Sequence, residues 1–183
     1  MAAHSSLNAA TVASNATGIS TSQTTYIEGP TFATSFTTGS GPGWTLDSVE
    51  MLIGREPGAN FNTALNVTLV TDGGGVPAVG ISVLGRSPAP LPTTPTVPNV
   101  SLFTYAPPAP VTLAPNTTYW ISAETAGLTS PNRIAWAYTT DFSETGETSW
   151  SIGDSRYVLN GSWSEFDSAN PQGDQARERR RSR

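Results

Sequence analysis

No stretch of this chain places apolar residues at i, i+3, i+4 and i+7 for three turns without an intervening Gly or Pro, so the helical period is missing throughout. What replaces it is alternation. Short runs trade apolar for polar residues at every step and end in turn residues after about ten positions. Thr (26 copies), Gly (17) and Pro (15) supply the β-branched and turn positions. At 183 residues the chain can form one domain with a two-layer core and still have length for arms.

The runs can be followed in order. "TFATSFTT" sets Phe32, Thr34 and Phe36 against Ala33, Ser35 and Thr37, and "GSGPG" then turns the chain. "WTLDSVEMLIG" puts Val49, Met51 and Ile53 on one face, and bringing Leu46 to that face requires a bulge near Asp47 and Ser48. "ALNVTLVT" points Leu65, Val67 and Leu69 inward, and Asp72-Gly73-Gly74-Gly75 closes a hairpin toward Val79, Ile81 and Val83 in a second half-buried strand. "RSPAPLPTTPTVP" carries prolines at 88, 90, 92, 95 and 98, which suits a covering loop and excludes a central strand. "VSLFTY", "VTL", "TTYWISAE", "RIAWAYTT", "TSWSIG" and "GSWSEF" complete eight or nine strands. The predicted fold is all-β, a two-sheet antiparallel β-sandwich or jelly roll spanning 26–170. A low-complexity N-terminal arm (1–25), a Pro-rich loop (88–98) and an Arg-rich C-terminal tail (171–183) accompany it.

One aromatic ring breaks the pattern. In "PNTTYWISAE" the residues Tyr119, Ile121 and Ala123 share one face, which leaves Trp120 with Ser122 and Glu124 on the polar one. Trp120 is therefore either packed under a neighbouring segment such as the proline loop, or displayed with Trp150 and Trp163 as an exposed aromatic contact for glycans or proteins.

The ionisable groups restrict the chemistry. The sequence has no Cys and no Lys, and its one His, His4, lies in a Ser/Ala/Asn-rich stretch. Thiolate catalysis, disulfides, Cys-ligated zinc, Schiff-base lysines and the Walker phosphate loop are all excluded. A Ser-His-Asp triad would have to recruit His4, far from any strand that could hold it. Carboxylates remain. Asp141, Glu144, Glu147 and Asp154 offer hard oxygen ligands for calcium, but their spacing matches no EF-hand, and acidic loops commonly serve only as solvated surface. No metal and no cofactor is expected. A retaining glycosidase would need two carboxyls about 5 Å apart in an aromatic-lined cleft.

Charge is distributed unevenly. Arg177, Arg179, Arg180, Arg181 and Arg183 lie in the last seven residues beside Glu178, a formal +4, while the remainder sets four Arg against thirteen acidic residues, a formal −9. Such a tail either solvates or pairs with an acidic surface, for instance the body of a neighbouring copy. Nucleic acid is disfavoured because a −9 body repels phosphate. The first 25 residues contain no Lys or Arg followed by an apolar run, so no signal peptide is expected, and no apolar stretch is long enough for a membrane span.

Four blocks, "TSFTTGSGPGWTLDSVEMLIG", "LNVTLVTDGGGVP", "LAPNTTYWISAE" and "ETSWSIGD", occur in this order between about Thr34 and Asp154. Together they resemble the choice-of-anchor R domain, an all-β module of bacterial surface and secreted proteins. The resemblance implies a β-rich fold with no defined enzymatic activity. The chain departs from that family in showing no leader and in ending on arginines where an apolar anchor would stand.

The combined expectation is a non-catalytic structural or assembly protein, a homo-oligomer or a member of a capsid or surface lattice. It would be located on a virion or an extracellular surface, with its arms on protein neighbours. A carbohydrate-binding or adhesive cell-surface module is the first alternative, and a carboxylate-dependent glycosidase the second.

Overall fold

A computed structural model describes residues 13–14, 24–27, 29–41, 43–56, 64–86, 91, 99–128, 133–137, 145–146, 149–159 and 161–165. These residues form only β-structure, in the order β1 (Ala13–Ser14), β2 (Thr24–Ile27), β3 (Gly29–Thr37), β4 (Trp44–Leu46), β5 (Val49–Arg55), β6 (Asn66–Asp72), β7 (Pro77–Arg86), β8 (Asn99–Tyr105), β9 (Val111–Leu113), β10 (Thr118–Leu128), β11 (Ile134–Ala137), β12 (Thr145–Gly146), β13 (Ser151–Leu159) and β14 (Ser162–Glu165). Every pairing is antiparallel. A six-stranded sheet runs β14-β13-β3-β10-β6-β7 and a four-stranded sheet β2-β11-β5-β8, with short pairs β1-β12 and β4-β9 beside them.

The alternation read from the sequence places the core. Phe32 of β3, Val67 and Leu69 of β6, and Tyr119, Ile121 and Ala123 of β10 come from the six-stranded sheet. They join Met51, Ile53, Tyr105 and Ile134 of the four-stranded sheet in one hydrophobic cluster. Fully burying a side chain of this size contributes about 1.5–3 kcal/mol, which makes this shared cluster the main cohesive element of the fold. Tyr119 lies directly across from Phe36 in the β3–β10 register, and their rings stack at 5.8 Å. At Asp47 and Ser48 the strand breaks between β4 and β5, and Leu46 and Val49 both pack on the core.

One sequence expectation is corrected. Val79, Ile81 and Val83 do not form a half-buried face; all three are exposed, and Pro77 and Leu84 of β7 are buried in their place. The register of β7 against β6 shifts at three places, and each extra residue moves the following side chains to the other face. Within the segment 1–25, Ala13–Ser14 pairs with Thr145–Gly146, and β2 begins at Thr24, alongside β11. Of the proline segment 88–98 only Leu91 is described, and it is fully buried in the main core.

Candidate functional site

Both faces of the six-stranded sheet carry buried apolar residues. Trp120 projects from β10 away from the main core, yet only 1% of it is exposed. It forms a second cluster with Ala33 of β3 and Val70 of β6, against which Trp163 of β14 packs. The cover observed over this face is therefore Trp163, while Leu91 of the proline segment belongs to the other cluster.

The indole N–H of Trp120 donates to Asp72 Oδ1 at 2.8 Å. Asp72 ends β6, and its carboxylate also accepts from the backbone N–H groups of Gly74 (3.1 Å) and Gly75 (3.0 Å). Both glycines have positive φ, 89° and 87°, which a side chain would resist. The Trp120 hydrogen bond holds the Asp72 carboxyl below its usual range; desolvation opposes this, and the two glycine amides reinforce it. Asp72 is thus kept as an anion that locks the β6–β7 hairpin, a poor setting for a proton donor.

Trp150 is also buried, at 8% exposure, in a row of rings. It stacks on Phe36 at 5.9 Å and meets Trp44 edge-on at 5.2 Å, while Phe36 in turn stacks on Tyr119. The Trp44 N–H donates to Gly39 O, but the Trp150 N–H has no partner among the described residues. Of the three tryptophans considered as exposed contacts, Trp120 and Trp150 are thus corrected to packing residues, and Trp163 is half-buried. Both corrected rings fill space between strands that meet only in the folded sheet, where burial outweighs display.

Of the acidic candidates only Asp154 lies among the described residues. Asp154 lies on β13, highly exposed, 3.4 Å from Arg156, and its carbonyl accepts from buried Ser35. Asp141, Glu144 and Glu147 fall outside the described residues, as do His4 and the tail arginines Arg177, Arg179, Arg180, Arg181 and Arg183. Glu56 accepts from Arg133 Nε at 2.8 Å and Nη2 at 2.6 Å, a fork-like pair that ties β5 to the segment before β11. No group of three or more His, Cys, Asp or Glu among the described residues could hold a metal ion, and no helix long and apolar enough to cross a membrane occurs among them.

What sequence reasoning missed is a surface. Among the described residues the large exposed apolar side chains are Val79 (69%), Ile81 (42%) and Val83 (61%) on β7, and Leu102 (54%) on β8. β7 is the last strand of the six-stranded sheet, where Val83 lies across from Thr68, and β8 is the last of the four-stranded sheet, where Leu102 lies across from Leu52. The signal was present in Gly80 and Gly85, since glycines inside a strand pattern mark bulges that spoil strict alternation.

No protein-family model, curated protein or solved structure matches the chain. The four sequence blocks fall on β3 to β5, on β6 with its turn, on β9 with β10, and at the start of β13.

Proposed function

We propose that this chain is a non-catalytic structural protein, a two-sheet β-sandwich of jelly-roll type carried on a multi-subunit assembly such as a phage virion or a similar surface. The observation that carries this reading is that β7, the last strand of the six-stranded sheet, leaves Val79, Ile81 and Val83 exposed, because large apolar side chains left in solvent favour association. The opposite charges of tail and body support it, with the five tail arginines as a fastener for acidic neighbours. The burial of Trp120 and Trp150 removes two of the three rings a sugar-binding face would have used.

Light scattering after gel filtration tests the proposal on the full chain and on a chain ending at residue 170. The full chain is expected above monomer mass at high protein concentration, with the shift reduced by salt and by loss of the tail. A full chain that stays monomeric at every concentration and ionic strength would overturn the reading.

A further inference from the structure

Asp72-Gly73 is the one Asp-Gly pair in the chain. Such a pair is chemically labile, because the glycine nitrogen, with no side chain beside it to hinder approach, can attack the aspartyl carboxyl and close a five-membered succinimide. The β6–β7 turn needs the glycine nonetheless. A Cβ at position 73 would stand 2.9 Å from Ala78 Cβ and 3.3 Å from Val76 O, too close for either to remain where it is. The reactive pair is therefore imposed by packing, and it lies exposed to water.

The same turn opposes the reaction at both reacting groups. The Gly73 N–H donates to Val76 O at 2.8 Å, which engages the nucleophile. Asp72 Oδ1 accepts from Trp120 and from Gly75, and Oδ2 accepts from Gly74, so the carboxylate is drawn toward the far side of the turn. Closure needs a neutral carboxyl, since an oxygen leaves as water only once it is protonated, and the Trp120 bond, reinforced by the glycine amides, keeps Asp72 an anion. The glycine bonds are local to the turn. The bond from Trp120 reaches it from β10, and the indole is itself fixed by the buried cluster with Ala33 and Val70.

We infer that Asp72-Gly73 is a site of spontaneous backbone isomerisation that the Trp120 indole keeps latched in the folded chain. The inference is independent of the assembly reading. In the reaction the Gly73 nitrogen bonds to the Asp72 side-chain carboxyl carbon, and the displaced oxygen departs as water with the amide proton. Water then adds to one of the two ring carbonyls. Opening at the side-chain carbonyl restores aspartate, and opening at the main-chain carbonyl leaves isoaspartate, with the chain now running through the former side chain. One water is lost and one regained, so no other reactant is needed. The rearranged link lengthens the main chain by one carbon and shortens the arm that carries the carboxylate toward Trp120, which makes the change a one-way loosening of the hairpin.

The test incubates the full chain at neutral pH, warm but below its unfolding temperature, beside a peptide of residues 66–78. Isoaspartate is measured by enzymatic methylation with an isoaspartyl methyltransferase and located by mass mapping of peptides. The Asn160-Gly161 pair is told apart because deamidation changes mass, whereas isomerisation at Asp72 does not. The folded chain is expected to form isoaspartate at residue 72 at least about tenfold more slowly than the peptide. Trp120→Phe, which keeps a ring but removes the N–H, should raise the rate in the folded chain about three- to tenfold. Asp72→Glu, which cannot close the five-membered ring, should form none. Circular dichroism confirms folding. If Trp120→Phe does not fold, Val70→Ala, which only loosens the packing behind the indole, should give a smaller acceleration of about twofold. A peptide that forms no isoaspartate at residue 72 overturns the site. A folded chain as fast as the peptide, or a folded indole variant no faster than the unmodified chain, overturns the latch.

Discussion

At one edge of the six-stranded sheet, Arg156 of β13 stands directly across from Glu165 of β14 and meets its carboxylate at 2.9 Å, while Asp154 lies 3.4 Å from the same guanidinium. At the other edge, β7 presents Val79, Ile81 and Val83 with no charge among them. The two edges face the same solvent and are built on the same backbone pairing. Charge at β14 raises the cost of desolvating that edge, so a passing strand gains little there. Between Gly73 and Gly85 β7 carries no such charge, and its protection consists of the three bulges in its register against β6. The contrast separates a charged edge of the sheet from an apolar one.

The largest expected effect comes from the residue that serves both edges. Trp120 touches Val70 on the β6 side and shares its cluster with Trp163 from β14, so Trp120→Ala should cost about 3–5 kcal/mol in urea unfolding. Amide exchange should quicken in both β6–β7 and β13–β14. Protection lost at one edge only would show that the second cluster does not join them.

Trp163→Ala should cost less, about 1–2 kcal/mol, because the ring is half-buried. Its effect on exchange should be confined to β13–β14, leaving β7 unchanged.

Asp72→Asn addresses the β7 side, with an expected loss under about 1 kcal/mol at neutral pH after allowance for solvent screening. The sign of its pH dependence follows from the lowered carboxyl. A depressed folded-state pKa gives stability that is fully present above the unfolded value and is lost as pH falls through the folded one. The gap in thermal midpoint between the unmodified chain and Asp72→Asn should therefore hold from neutral pH down to the ordinary carboxylate range and close below it. A gap that widens in acid would contradict this assignment.

The smallest effect belongs to the charged edge. Glu165→Gln should change stability by under about 0.5 kcal/mol, since the carboxylate is 78% exposed. Its value in the comparison is as a control: weakening the charge at β14 leaves the unfolding midpoint in place, whereas loss of the Trp120 ring lowers it.

Much of the fold was legible locally. The face shared by Val49, Met51 and Ile53, the inward run Leu65, Val67 and Leu69, and the separation of Tyr119, Ile121 and Ala123 from Trp120 all follow from a period of two, and all reappear in the two clusters. The break at Asp47 and Ser48 was visible because Leu46 sat out of phase. The candidate surface was not legible, because alternation applied to β7 assigned Val79, Ile81 and Val83 to a half-buried face. Three register shifts against β6 overrode it. Nor could any local pattern reveal that the aromatic row from Tyr119 through Phe36 and Trp150 to Trp44 would assemble from three separate parts of the chain.

The amino-acid order alone settled the β character, the turns and the exclusion of thiol and amine chemistry, since each depends on residue type or on neighbours a few positions away. Only the folded arrangement decided that Trp120 lies buried against Asp72 and that β7 stands bare at an edge. Those outcomes depend on which strands become neighbours and in what register, and a shift of a single residue is enough to turn an inward side chain outward.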